Sequence, residues 1–282
     1  HNTFSELMEQ TGASRGVLAN RLKWLQSADC LSRESLGARR VRYHLTAKSL
    51  DLYQCALTAL QWERRNFDNS DLDSVVLEHL ACGAHFTPRL ECDACAGDID
   101  PWDVDYTPGP GATRDEREKK VRRRSTVPLT ALPGARRHSV NLINIVGDRW
   151  SANLIALAFH GVCRFEGFHR ELPVASNILS SRLKFLTEAG IFRRVPYRQT
   201  PPRYEYRLTA RGEDLYSWFL TLLQWGDRWC DDSGHGPPMA LKHRACGARL
   251  RARVCCDGCG DELRAREVVF HYQGLQSPGV DS

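Results

Sequence analysis

The sequence lacks the features that mark membrane proteins and most enzymes. No apolar run approaches the roughly 20 residues that a helix needs to cross a bilayer, and no secretory signal is evident. There is also no glycine-rich phosphate loop, no nucleophile elbow and no pair of carboxylates at catalytic spacing. These absences predict a cytoplasmic protein that is not an enzyme and has no membrane partner.

The chain also lacks a strong excess of charge of one sign, because 39 Lys and Arg against 34 Asp and Glu give a net charge of only +5. The arginines are nevertheless grouped in two places: Arg33, Arg39, Arg40 and Arg42, then Arg193, Arg194, Arg198, Arg203 and Arg207. Such groups are typical of a surface that faces phosphates, and a solvated pair of strands is the alternative.

What the sequence does contain is an internal repeat. The phrase SRGVLANRLKWLQSAD at 14–29 returns as ASNILSSRLKFLTEAG at 175–190, and YHLTA at 43–47 returns as YRLTA at 206–210. The match continues to CDAC at 92–95 and CDGC at 256–259. Repetition over this length predicts a tandem duplication of one structural unit.

The second copy has the element order of a winged helix-turn-helix domain. Apolar periodicity and stop signals predict helices at 139–160, 165–172, 175–189 and 210–230, and strands at 192–198 and 203–209. The first copy begins only shortly before Phe4, so a further helix resembling 139–160 is expected upstream of residue 1. The fold class is therefore mainly α with small β wings.

The helices at 14–28 and 175–189 have the size and the polar face needed to enter a DNA major groove. In the second helix Leu179, Leu183 and Leu186 line the apolar side, opposite Asn177 and Ser181. The wings supply arginines for backbone phosphates. The candidate DNA-binding residues are Arg15, Asn20, Arg21, Lys23, Arg39, Arg40, Ser176, Asn177, Ser181, Arg182, Lys184, Arg198 and Arg203.

Residues 139–230 resemble the HxlR-type family of bacterial winged-helix transcription regulators. The resemblance rests on VGDRW (146–150), RFEGFHREL (164–172), LSSRLKFLTEAGIFRR (179–194) and PPRYEYRLTARG (201–212). It implies a protein that binds operator DNA as a dimer paired through terminal helices. Residues 4–62 match the later part of the same domain more weakly.

Each copy ends in one histidine and three cysteines with the spacing H-x2-C-x9-C-x2-C. The residues are His79, Cys82, Cys92 and Cys95, then His243, Cys246, Cys256 and Cys259. Three sulfurs and one imidazole suit a tetrahedral Zn²⁺ that has no open position for catalysis. The spacing predicts two structural zinc ions per chain, one in each copy. A redox switch that uses the CxxC pairs, with Cys255 as a spare thiol, is the alternative.

These patterns predict five segments: an incomplete winged helix at 1–68, a zinc-ribbon-like module at 69–106, a linker at 107–138, a second winged helix at 139–231 and a second module at 232–275. The predicted function is sequence-specific regulation of transcription by a covalent pseudodimer on double-stranded operator DNA, in a bacterial cytoplasm at the nucleoid. A homo-oligomer of separate chains remains an alternative to the pseudodimer. The competing hypothesis is a protein-interaction or redox-sensing zinc module that no longer binds specific DNA.

Overall fold

A computed structural model describes residues 2–37, 40–68, 72, 75–112, 140–231 and 234–272. In this part of the chain, helices alternate with small antiparallel sheets of two or three strands, as the sequence predicts. Among these residues, no helix has the length and apolar character needed to cross a membrane.

The first half begins with two helices, a hairpin and two further helices. These elements are α1 (Phe4–Thr11), α2 (Arg15–Ser27), β1 (Leu31–Ser35), β2 (Val41–Leu45), α3 (Ala47–Leu50) and α4 (Tyr53–Asn66). A capping box starts α1, because Thr3 Oγ1 accepts from the Glu6 N–H and the Glu6 carboxylate accepts from the Thr3 N–H at 2.9 Å. The chain leaves α1 through Gly12 at a φ of 62°.

The second half repeats this order after two additional helices. Its elements are α5 (Val140–Val146), α6 (Arg149–Phe159), α7 (Phe165–Glu171), α8 (Ser176–Glu188), β7 (Phe192–Arg198), β8 (Arg203–Leu208), α9 (Ala210–Glu213) and α10 (Tyr216–Trp229). The single helix predicted at 139–160 is therefore wrong. Asp148 adopts an extended conformation and its carboxylate caps α6 by accepting from the N–H groups of Trp150 and Ser151.

The helix predicted at 210–230 is also divided into two, because residues between α9 and α10 leave the regular helical path. Thr209 caps α9 by accepting from the Gly212 N–H. A side chain at Gly212 would place its Cβ 2.4 Å from the Ile191 carbonyl oxygen, so this close approach of α9 requires glycine.

The remaining strands build one interleaved unit rather than two separate modules. The strands are β3 (Val75–His79), β4 (Ala84–His85), β5 (Pro88–Cys92), β6 (Val104–Pro108), β9 (Met239–His243), β10 (Ala252–Cys256) and β11 (Val268–Tyr272). The first-half strands β3, β5 and β6 pair with the second-half strands β11, β10 and β9, respectively. The predicted division into modules at 69–106 and 232–275 therefore does not describe how these strands pair.

The linker predicted at 107–138 begins too early. Thr107 and Pro108 belong to β6, and beyond them the N–H groups of Gly109 and Gly111 donate to Pro238 and Pro237 at 2.9 and 3.1 Å. Residues 113–138 lie outside the described part of the chain.

The interleaving gives the small strands a common core. Leu77 is 1% exposed and Val254 is fully buried, in one apolar cluster with Leu57 and Leu60 of α4. Leu90 on β5 and Val254 on β10 face each other in the antiparallel register. A segment of about 40 residues rarely buries enough apolar surface alone, so sharing strands compensates for small size.

The two halves also meet along α4 and α10. Thr58 Oγ1 and Thr221 Oγ1, at matching positions of the repeat, lie 3.2 Å apart in the buried centre of this contact. Four further contacts form two matched pairs. The Trp62 indole donates to Arg211 O at 3.0 Å, and the Trp225 indole donates to Lys48 O at 2.7 Å. Arg65 pairs with Asp214 at 3.1 Å, and Arg228 pairs with Asp51 at 2.8 Å. Each half thus presents the same groups to the other, as in an isologous dimer interface.

Candidate DNA interface and metal centres

Helix α8 has the two faces that the sequence predicts. Leu179, Leu183 and Leu186 are at most 1% exposed, in a cluster with residues of α6 and the second wing. Asn177 and Ser181 are exposed on the opposite side. The burial of one side fixes the helix and leaves the other free to meet a ligand.

Other polar residues of α8 are partly engaged within the protein. Lys184 pairs with Glu188 at 3.7 Å, and both side chains are largely exposed. Ser176 Oγ lies 3.2 Å from His169 Nε2 of α7. Arg182 turns back to Asp148 at 3.4 Å, so in this structure its guanidinium contacts the cap of α6.

Helix α2 presents a second exposed polar surface. Arg15, Asn20, Arg21 and Lys23 are all exposed, as predicted for groups that contact a ligand. The Arg15 guanidinium lies 5.6 Å from the ring centroid of Phe4, which can hold the side chain near the start of the helix.

The second wing is braced by an acidic residue between two arginines. Glu205 on β8 accepts from Arg164 at 2.9 Å and from Arg207 at 2.7 Å. The hydrogen bonds from Arg207 and Arg164 lower the pKa of the Glu205 carboxyl below its usual range. Arg207 therefore has a partner inside the wing.

The predicted wing arginines lie near the hairpin tips. Arg198 Nε donates to Thr200 O at 3.0 Å, and Arg203 pairs with Glu166 at 3.6 Å. Both arginines remain exposed. In the first wing Arg40 is exposed, and Arg39 lies outside the described residues.

The eight predicted metal ligands come together in two groups of four. The first group contains His79 and Cys82 from the first half with Cys256 and Cys259 from the second. His79 Nδ1 lies 3.4 Å from Cys82 Sγ and 3.3 Å from Cys259 Sγ, and Cys82 Sγ lies 4.0 Å from Cys256 Sγ.

The second group is the reciprocal one, with Cys92 and Cys95 from the first half and His243 and Cys246 from the second. His243 Nδ1 lies 3.5 Å from Cys95 Sγ and 3.4 Å from Cys246 Sγ, and Cys92 Sγ lies 3.9 Å from Cys246 Sγ. The expected grouping of four ligands within each copy is therefore wrong. The strands exchange partners between halves and carry half of each ligand set with them.

The dimensions of both groups suit zinc. Bonds of about 2.3 Å to sulfur and 2.0 Å to nitrogen in a tetrahedron separate two sulfurs by about 3.8 Å, and sulfur from nitrogen by about 3.5 Å. In each group the histidine Nδ1 is the ring nitrogen that lies beside the sulfurs, so Nδ1 is the available ligand atom. Asp103 lies 3.4 Å from His243 Nε2.

Local backbone turns orient the cysteine sulfurs toward the centre of each ligand group. Gly83 and Gly247 follow the first knuckles at φ values of 67° and 72°, and each N–H donates to its histidine carbonyl at 2.8 Å. The backbone N–H of Ala248 donates to Cys246, which is the main reason that the Cys246 pKa falls to about 7. A lowered pKa favours the thiolate that binds metal.

Cys255 is placed poorly for redox chemistry. Its side chain is fully buried in β10, beside Cys256. Burial raises the pKa of the thiol to about 11, which disfavours the reactive thiolate form.

The sequence did not reveal Glu63, which joins the two halves. Its buried carboxylate accepts from the Leu142 N–H at 2.7 Å and from Asn141 Nδ2 at 2.9 Å, at the start of α5. The one available signal was a charged residue, LQWE, where the second copy reads LQWG with Gly226.

Comparison with known proteins gives a consistent relationship. The HxlR-like helix-turn-helix family matches residues 145–234. An uncharacterized HTH-type transcriptional regulator of Mycobacterium tuberculosis is 44% identical over 127 residues, which are 45% of this chain and 80% of that protein. The HTH-type regulator YdeP of Bacillus subtilis is 31% identical over 90 residues, covering 32% of this chain and 70% of YdeP.

Solved structures with similar sequences include a redox regulator and a proposed transcription factor. The reduced redox regulator HypR is 32% identical and covers 32% of this chain and 90% of its own, with a TM-score of 0.31. PA1607, a proposed transcription factor, is 32% identical and covers 49% of this chain and 92% of its own, with a TM-score of 0.39.

Proposed function

The chain belongs to the HxlR-like helix-turn-helix family of transcription regulators, and from this premise we propose that it binds specific operator DNA as a covalent pseudodimer. The observation that carries the proposal is the reciprocity of the contacts between halves. Thr58 meets its counterpart Thr221, and the two tryptophans donate to matching carbonyls of the opposite half. A family whose members act as dimers would here have both subunits in one chain.

In this proposal α2 and α8 enter the major groove and the two wings contact the backbone. Their exposed residues differ: α8 offers Asn177 and Ser181, whereas α2 offers Gly16 and Asn20 at the matching positions. Asn can pair bidentately with adenine, and Gly can read no base edge. The operator is therefore expected to contain two unlike half-sites, separated by one helical turn or a multiple of it.

We further propose that each crossed group of one histidine and three cysteines holds a structural Zn²⁺, two per chain. The donor set and the Nδ1 and Sγ separations support it. A bound ion would supply a four-ligand cross-link between the halves. Fewer than one zinc per chain in reduced, purified protein, measured by elemental analysis, would contradict this proposal.

DNA recognition is tested by selecting bound sequences from random DNA and footprinting the protein on the selected sequences. Asn177→Ala is expected to relax preference in one half-site only, by ~1–3 kcal/mol for a true base contact. Asn20→Ala should act on the other half-site, and Glu9→Ala, exposed on α1, should change neither. A palindrome with both halves equally sensitive to Asn177→Ala would contradict two specificities.

Salt dependence separates this function from the protein-interaction alternative. Binding that displaces condensed counterions from phosphates weakens steeply as salt rises. Arg198→Ala and Arg40→Ala should each reduce the slope of affinity against salt by about one, because one phosphate contact is lost. Failure to select any DNA, together with salt-independent binding of a protein partner, would favour the interaction module.

A further inference from the structure

A third group of ligand-type side chains lies outside the cysteine centres. Glu78, His85 and His271 bring one carboxylate oxygen and two ring nitrogens within 4.8 Å of one another. We propose that these residues form a separate, exchangeable site for a transition-metal dication such as Zn²⁺ or Ni²⁺.

The three-stranded sheet assembles this site. Glu78 on β3 is directly opposite His85 on β4, and β11 runs antiparallel to β3 on its other edge. His271 on β11 reaches diagonally to Glu78, with 2.5 Å between Nε2 and Oε2, and its ring centroid is 6.0 Å from that of His85. Cross-strand neighbours at these positions are within reach of one ion.

The site is distinct from the neighbouring cysteine centre because adjacent strand residues point to opposite faces. His79, next to Glu78, is 1% exposed and lies among the sulfurs. His85 and His271 are instead exposed, and Glu78 is half-buried. A metal ion can therefore reach this group without passing through the interior.

The donor set selects the class of metal. Imidazole nitrogens suit zinc, nickel and copper, whereas magnesium and calcium prefer oxygen ligands throughout. Three protein ligands leave at least one position for water, unlike the four-ligand cysteine groups. Tetrahedral binding places nitrogen and oxygen ligand atoms about 3.3 Å apart. An ion would therefore replace the 2.5 Å contact between His271 Nε2 and Glu78 Oε2.

The other half of the molecule provides a natural comparison. Its matching positions are Lys242 on β9, Arg249 opposite it, and Thr107 on β6. A lysine and an arginine are cations without a free lone pair at neutral pH, so this half cannot form the same site. One such ion per chain is therefore expected.

Binding would also join the two halves of the chain. Glu78 and His85 come from the first half, and His271 comes from the second. An ion held by all three would fasten β11 to β3 and β4. Because it binds the folded state, it should raise the melting temperature as its concentration rises.

The test is calorimetric titration of the full-length purified chain with Ni²⁺, after dialysis and a count of the metal that it retains. We expect one additional Ni²⁺ per chain. His85→Ala and His271→Ala should each weaken this binding at least tenfold and remove the Ni²⁺-dependent rise in melting temperature. The matched variants Arg249→Ala and Thr107→Ala should stay within twofold of the original chain.

Retained metal, counted in every variant, shows whether the cysteine centres are intact, so their failure and that of this site are distinguishable. Glu78→Gln, which keeps the size of the side chain, serves as a second variant and should weaken Ni²⁺ binding as well. No additional Ni²⁺ in the original chain, or additional binding that persists in both histidine variants, would overturn the proposal.

Discussion

The two winged-helix units carry the same helical phrase but pack it to different depths. In the second unit Leu183 and Leu186 are fully buried, whereas in the first Leu22 is 5% exposed and Leu25 is only half-buried. Trp24 of the first unit, at the position of half-buried Phe185, is 55% exposed. The same local sequence therefore gives the same helix, while the surrounding helices decide how much apolar surface it buries.

In the second unit, α6 packs beside α8. Leu154 and Ile155 of α6 are fully buried in the cluster that contains Leu183. The strand region behaves in the opposite way, because there the two halves contribute equally to each ligand group.

The largest expected effect concerns the crossed metal groups. Cys82→Ala combined with Cys256→Ala removes two ligands of one group, so the chain should retain one zinc ion. Cys82→Ala combined with Cys246→Ala damages both groups and should leave none. Elemental analysis measures the difference, and a structural zinc contributes on the order of 10 kcal/mol to folding.

If the ligands grouped within each copy, Cys82 and Cys256 would belong to different groups, and the chain carrying both Cys82→Ala and Cys256→Ala would lose both ions. Loss of both ions from the Cys82→Ala, Cys256→Ala chain would therefore contradict the crossed arrangement. The single variants, each retaining one ion, provide the control for both pairs.

A second experiment measures how much the packing difference contributes to the free energy of unfolding. Leu183→Ala should lower the free energy of unfolding by about 3–4 kcal/mol, since it opens a cavity in a closed core. Leu22→Ala should cost less, about 2 kcal/mol, because its more open surroundings can relax. Urea unfolding followed by circular dichroism compares the two, and equal losses would show that the burial difference has no energetic weight.

The sequence predicted α8 and the strands of the second wing, but it missed the breaks in two long helices and the pairing of the other strands. Leucine spacing and Gly190 were enough for α8, since periodicity and stop signals act within a few residues. The pairing of first-half β5 with second-half β10 could not be predicted from the sequence, because the identical ligand spacing in both copies fits either grouping of ligands. The break was missed although Gly147 and Asp148 are a helix-stop and a capping residue, because the apolar spacing continues on both sides of them.

The capping role of Glu63 extends the comparison to a place where the halves differ. Glu63→Ala should destabilise the chain by about 2 kcal/mol, because the start of α5 loses its buried acceptor for Leu142 N–H. Glu63→Gln keeps an acceptor oxygen and should cost less. Thermal unfolding of the purified variants measures these losses.

Gly226 on α10 is the matched control for Glu63. An added Cβ there meets nothing within 4 Å, and alanine is the better helix former by about 1 kcal/mol. Gly226→Ala should therefore stabilise the chain while Glu63→Ala destabilises it. Destabilisation by both substitutions would indicate that this stretch of both helices serves packing rather than capping.

The smallest expected effect separates the two CxxC turns. Ala96 and Gly260 hold matching positions, with φ values of 53° and 79°, and their N–H groups donate to Cys92 O and Cys256 O at 2.8 Å. Alanine in this left-handed conformation costs ~1–2 kcal/mol, whereas glycine adopts it freely. Ala96→Gly should thus stabilise the chain by ~0.5–1 kcal/mol after the added entropy of the unfolded state is subtracted.

Gly260→Ala, whose Cβ meets nothing within 4 Å, should destabilise it by a similar amount. Urea unfolding of the metal-loaded chain measures both, and a loss of stability in Ala96→Gly would mean that the alanine methyl group contributes packing that outweighs its backbone strain.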